Sequence, residues 1–123
     1  MPDNHEQYKL FDAEFKFMQL IWANEPINST KLVKLCHEHL GWKKSTTYTV
    51  LKKLQQRQVL KNEKATVTSI VKLEDVRKYE GEQLLEKAFN NSLPHLLVSF
   101  LDGKKISDSE ADELRRIIDE SRR

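Results

Sequence analysis

The chain has 123 residues, 38% of them hydrophobic and 33% charged, with only three glycines and three prolines. Such a composition supports one core of ordinary size, or a small domain with an appended helical element, and it excludes a disordered chain and a pair of independent enzyme domains. The formal net charge of +2 is unevenly spread: residues 43–64 hold seven basic residues against Glu63 alone, a local +6, which is the electrostatic footprint of a phosphate partner.

In chain order, Asp12 offers an N-cap to a first helix with Phe15, Met18, Ile21 and Trp22 along one side at helical spacing. Asn24-Glu25-Pro26 ends it, because a residue before proline is pushed out of the helical region. Asn28 then caps a second helix, with Ile27 and Leu32 placed as a hydrophobic staple. Its inward residues are Leu32, Leu35, Cys36 and Leu40, and Gly41 is set to close it in the left-handed conformation.

The third helix spans roughly 44–57. At 100° per residue, Thr47, Val50, Leu51 and Leu54 share one side, and Ser45, Tyr48, Thr49, Lys52 and Gln56 share the other. Val59 and Leu60 follow, then the polar Lys61-Asn62-Glu63-Lys64-Ala65 and the β-branched run Thr66–Val71, read as two short strands joined by a turn. The order of three short helices and a hairpin predicts a mostly α fold with a small β-hairpin wing, a winged helix-turn-helix domain over residues 1–73.

Residues 74–123 return to helix, without a proline- or glycine-rich linker. Val76, Tyr79, Leu84, Leu85, Ala88 and Phe89 form a stripe interrupted by Gly81. Asn90-Asn91-Ser92 breaks the chain, Pro94 sits in the first turn of a short helix through Leu101, and Ser107 with Glu110 fits a capping box for a last helix. So many large apolar residues in so short a tail cannot enclose one another, so burial against a second copy is expected. The residues assigned to this homodimer are Tyr79, Leu84, Leu85, Phe89, Leu93, Leu96, Leu97, Phe100, Leu101, Leu114, Ile117 and Ile118.

For the cationic helix, the expected partner is double-stranded DNA. Ser45, Tyr48, Thr49 and Lys52 are candidates for base edges. Thr46, Lys53, Arg57 and Lys64 are candidates for phosphate, joined by Ser29 and Thr30 at the start of the second helix and by Lys43 and Lys44 beside the third helix's N-terminus. A lysine-rich face that is only solvated is the plain alternative. A winged-helix adaptor binding protein rather than DNA is the competing function, and it predicts little dependence of binding on salt.

Other chemistry finds less support. Cys36 and His39 are i, i+3 neighbours, but a zinc site wants three or four ligands and no partner cluster accompanies them, so no metal and no cofactor is expected. Neither a glycine-rich phosphate loop nor an HExxH motif occurs, and the chain is not read as an enzyme. The longest apolar run of the C-terminal half, Leu96 to Leu101, is far below the roughly 20 residues of a membrane span, so no membrane insertion is expected. The opening MPDNHEQYKLF carries no apolar signal, and the lone Cys36 agrees with a reducing compartment, so the expected location is the cytoplasm.

The segments FDAEFKFMQLIW, INSTKLVKL, WKKSTTYTVLKKLQQRQVL and NNSLPHLLVSFLDGKKISDSEADELRRIIDE together resemble the BlaI/MecI/CopY family of bacterial repressors. The resemblance implies a winged-helix domain, a helical dimerisation region and repression from an inverted-repeat operator with TACA/TGTA-like cores, relieved by an inducing signal. It places Ser45, Thr46, Tyr48 and Thr49 in the DNA-contacting stretch. In the penicillinase repressors of the family a membrane sensor protease triggers cleavage, and Ser99-Phe100 falls where that bond would align; Phe100 as a dimer-core residue is the alternative. Three departures stand out: Gln58 replaces a usual glycine before the wing, Thr68 to Ile70 lack the wing's customary aromatics, and the tail has no Cys-x-Cys pairs of the copper-responsive members.

Overall fold

The computed structural model describes residues 5–123, with side chains from residue 7 onward. They form helices α1 (His5–Tyr8), α2 (Asp12–Asn24), α3 (Ser29–Leu40), α4 (Lys44–Gln56), α5 (Leu73–Phe89), α6 (Leu93–Leu101) and α7 (Asp108–Ser121), and strands β1 (Ile27–Asn28), β2 (Leu60–Glu63) and β3 (Thr66–Ser69). The chain divides into two compact units, the second being Gln83–Arg123. This is a winged helix-turn-helix domain plus a helical region. Among the described residues, no helix is long and apolar enough to cross a membrane.

Local signals set the helix limits. The Asn28 side chain accepts the Thr30 N–H at 2.8 Å, and Gly41 closes α3 at φ 69. A left-handed closing residue costs glycine little because it has no Cβ. At the start of α2 the cap differs from expectation: Asp12 lies inside the helix, Phe11 is the capping residue, and the Glu14 carboxylate accepts the Phe11 N–H at 3.0 Å. A carboxylate there also meets the positive end of the helix dipole.

The core of the first unit joins Phe17, Met18 and Ile21 of α2, Leu32 and Cys36 of α3, Leu51 and Leu54 of α4, and Val59, Leu60, Val67, Val71 and Val76. The inward face of α2 is therefore centred on Phe17, whereas Phe15 and Trp22, expected inside, are half-buried and meet edge-on at 5.7 Å. Phe17 stacks on Trp42 at 5.6 Å, and Trp22 donates its indole N–H to the Val71 carbonyl at 3.0 Å. Each ring is thus tied to a different part of the chain.

The wing is wider than a hairpin. β3 is central, antiparallel to β2 and also to the two-residue β1, with Ile27 opposite Val67. Ser29 N–H bonds the Ala65 carbonyl at 2.8 Å and extends that pairing. Lys64 and Ala65 form the turn at φ 51 and 65, the double left-handed geometry that matches the twist of a tight hairpin. The wing's exit is held by Glu25, which accepts the Ser69 N–H at 2.8 Å and its hydroxyl at 2.8 Å, with Lys72 Nζ at 3.7 Å.

The units part within α5, after Glu82, whereas the expected boundary followed residue 73. The first two turns of α5 belong to the first core: Val76 is buried there, and Tyr79 lies 6.3 Å from Tyr8. In the second unit Asn90 and Asn91 make the left-handed break at φ 53 and 63, and the hydroxyls of Ser92 and Ser107 accept the His95 and Glu110 N–H groups. The C-terminal helices begin where the sequence placed them. None of their apolar side chains is buried.

Candidate nucleic-acid interface

α4 separates its two faces cleanly. Thr47, Leu51 and Leu54 are buried, while Ser45, Tyr48, Thr49, Lys52 and Gln56 are exposed. The stripe follows from spacing alone, since residues three, four and seven apart share a helix face. Tyr48 is 37% exposed, a large aromatic left on the outer face. Thr49 donates its hydroxyl hydrogen to the Ser45 carbonyl at 2.8 Å, which fixes its rotamer and leaves the oxygen as an acceptor.

The N-terminal turn of α4 is built for an anion. Lys43 is the capping residue and supplies no side-chain cap, so the N–H groups of Lys44, Ser45 and Thr46 are not filled by one, and the turn carries no acidic residue. Lys43, Lys44 and Thr46 are exposed around it, and Lys53 is exposed in the last turn of the same helix. Free amides, a helix dipole and cations together favour phosphate oxygens.

The other predicted contacts fare differently. Lys64 stands exposed at the wing's turn, and Thr30 is exposed at the start of α3. Ser29 is 6% exposed and its N–H bonds the Ala65 carbonyl, so β1 pairing draws it into the fold and little of it faces outward. Arg57 is drawn inward as well. Its Nη1 bonds Glu14 Oε2 at 2.8 Å and its Nη2 bonds the Lys9 carbonyl, which leaves the side chain 23% exposed and engaged within the fold.

Two further residues bear on this face: Gln56, which the helical wheel placed there without assigning it a contact, and Glu14. Gln56 continues the exposed stripe four residues after Lys52, a signal the helical wheel contained, and glutamine is a natural partner for adenine N6 and N7. Glu14 gave no comparable signal, because a carboxylate in an amphipathic helix ordinarily reads as exposed. Cys36 is buried in the core, and burial pushes its thiol up, so it behaves as a small apolar side chain beside the exposed His37 and His39.

The departure at Gln58 leaves the geometry of the turn intact. Gln58 adopts φ 61, its N–H bonds the Gln55 carbonyl at 3.0 Å, and the Val59 N–H bonds the Leu54 carbonyl at 2.9 Å, the paired bonds of a glycine-type helix stop. Its carbonyl accepts Gln7 Nε2 at 2.9 Å. Thr68 is half-buried on the wing, and Ile70 is 45% exposed.

In the second unit the residues assigned to dimerisation lie on the surface. Leu84, Leu93, Phe100, Ile117 and Ile118 are 48–61% exposed, and Leu85, Phe89, Leu96, Leu97, Leu101 and Leu114 are half-buried. Leu97, Phe100, Leu101, Leu114 and Ile117 line a groove of about 360 Å³ between α6 and α7. Tyr79 differs from the rest, since it packs in the first unit against Tyr8.

Helices α2 to α4 followed by a wing, with a cationic and hydroxyl-bearing outer face on α4, define a winged helix-turn-helix protein of the transcription-regulator class. Residues 10–120 match the family model described as Penicillinase repressor. The chain is 25% identical over 116 residues to the penicillinase repressor of Bacillus licheniformis, covering 91% of each chain. It is 20% identical over 119 residues to the methicillin resistance regulatory protein MecI of Staphylococcus aureus, covering 94% of this chain and 97% of that one. A penicillinase repressor of Staphylococcus aureus is 20% identical over 120 residues, covering 94% and 95%. The chain belongs to the penicillinase repressor family of bacterial DNA-binding transcriptional regulators.

Proposed function

We propose that this protein is a transcriptional repressor that binds an inverted-repeat operator as a homodimer, with α4 in the major groove and the Lys64 turn along the backbone. The observation that carries this reading is the exposed face of α4, where hydroxyls, an aromatic and lysines lie together with no carboxylate. Membership in a repressor family supports it. Ser45, Tyr48, Thr49 and Lys52 read base edges; Lys43, Lys44, Thr46, Lys53, Lys64 and Thr30 hold phosphates.

The exposed apolar set of α6 and α7 supports the dimer, because a surface of this kind is stable in water when a second copy covers it. A dimer also presents two recognition helices to two half-sites. For Phe100 a place in the dimer core is the first reading, and derepression by cleavage at Ser99-Phe100 is the second: losing the chain beyond that bond removes α7 and most of the groove. Full-length protein persisting throughout induction would overturn that part.

Binding to the protein's own upstream DNA and to a scrambled duplex, measured at several salt concentrations, tests the whole. Preference for one sequence with a steep negative log–log slope is the expected result. Salt-insensitive binding to a protein, with no DNA binding at low salt, would replace the repressor with an adaptor.

A further inference from the structure

The cation at the end of the recognition helix is used inside the protein. Arg57 is the residue that closes α4. Its guanidinium reaches the start of α2, bonding Glu14 Oε2 at 2.8 Å through Nη1 and the Lys9 carbonyl through Nη2. The same carboxylate accepts the Phe11 N–H through Oε1 at 3.0 Å. Both carboxylate oxygens are thus committed, and the Glu14 side chain is only 9% exposed.

A planar guanidinium held at two of its nitrogens cannot pivot as an ammonium can. Two acceptors of the Lys9–Glu14 segment, the Glu14 carboxylate and the Lys9 carbonyl, therefore fix where the last turn of α4 lies against α2. Immediately after Arg57 the chain enters the left-handed residue Gln58, whose carbonyl is also held from the N-terminal segment, by Gln7. Both ties act on the end of α4 opposite the one whose amides face the anion. Ion pairs removed from solvent contribute little net stability over well-packed apolar side chains, and their best-attested use is to select one registry.

We propose that Glu14 and Arg57 are positioning residues for sequence recognition: the pair sets the roll of α4 so that Tyr48, Thr49 and Lys52 meet base edges in one register, without itself touching DNA. The inference rests on the DNA-binding reading above. It assigns to Arg57 a role opposite to that of a phosphate contact. Removing a phosphate contact weakens binding to all duplexes and lowers the salt slope, whereas releasing the roll of the helix weakens the preferred duplex alone.

The test uses full-length protein, duplexes selected from a random pool by the wild type, and a scrambled duplex of equal length. In the double variant Glu14→Met/Arg57→Met, helicity by circular dichroism is expected to remain. The affinity ratio between selected and scrambled duplexes is expected to fall about tenfold, the loss of one well-formed base contact. Binding to the scrambled duplex and its salt slope stay unchanged. Should the double variant fail to fold, Arg57→Lys, which keeps the charge and loses the planar fork, is read in the same way. An unchanged ratio overturns the proposal, and so does a salt slope reduced by about 1, which marks Arg57 as a phosphate contact. A wild type that selects no sequence defeats the DNA reading itself, whereas a selective wild type with an equally selective variant defeats only the positioning role.

Discussion

The first unit and the segment Gln83–Arg123 are both rich in leucine and phenylalanine, but they dispose of them differently. In the first, Phe17, Met18, Ile21, Leu32 and Leu54 have no exposed surface, and two tryptophans tie the core to the wing and to the start of α4. In the second, Phe100 is 61% exposed and even the best-covered leucines are half-buried. Helices α2, α3 and α4 together with the wing enclose side chains from several elements. A short run of helices offers each apolar stripe one neighbour at most, so its other side is left for an outside partner. The first unit encloses its own core, and the second leaves its apolar stripes on the surface.

The largest effect that tests this contrast is in the first core. Phe17→Ala is expected to cost about 3–5 kcal/mol in urea unfolding, because the ring leaves a cavity against Trp42 that the neighbours cannot close. A loss under about 1 kcal/mol would mean that the first unit, too, depends on association. Next, Phe100→Asp should weaken the homodimer about a hundredfold or more, roughly 3 kcal/mol, by placing a charge on an apolar contact face. Sedimentation equilibrium measures it; an unaltered dissociation constant would remove α6 from the interface.

Within the first unit, Lys53→Ala and Tyr48→Ala should separate two roles on one helix. Lys53→Ala weakens binding to every duplex and lowers the salt slope by about 1, and Tyr48→Ala costs about 1–3 kcal/mol on the preferred sequence while leaving the slope alone. Equal effects of both on all duplexes would break that division. The smallest effect is a gain: Gln58→Gly should stabilise the fold by about 0.5–1 kcal/mol, since φ 61 suits a residue without Cβ. A loss instead would show that the Gln58 side chain contributes more than its backbone strain costs.

Much of the first unit was legible because its signals are local. Asn28 and Gly41 bracket α3 as their chemistry requires, and the two faces of α4 follow from a period of 3.6 residues. The stripe on α2 is legible at Met18 and Ile21 and differs at Phe15 and Trp22. Phe15 and Trp22 share a face and pair with each other, which imitates a core stripe, whereas the burial of Phe17 depends on Trp42 arriving from the link between α3 and α4. The strand at Ile27–Asn28 left no trace either, since two residues hold no alternation to detect.

For the interface, the sequence by itself determined where the cations and hydroxyls lie along α4 and that no acid interrupts them. It also determined that the tail holds more apolar surface than it can bury. Only the tertiary structure decided which of those polar groups remain available to a partner. Ser29 is drawn into pairing with Ala65, and Arg57 into an ion pair with Glu14, 43 residues away in the chain. The physical reason is range: caps and periodicity act within a few residues, while the use of a charge is settled by whichever acceptor the fold brings to it, and no short stretch of sequence encodes that meeting.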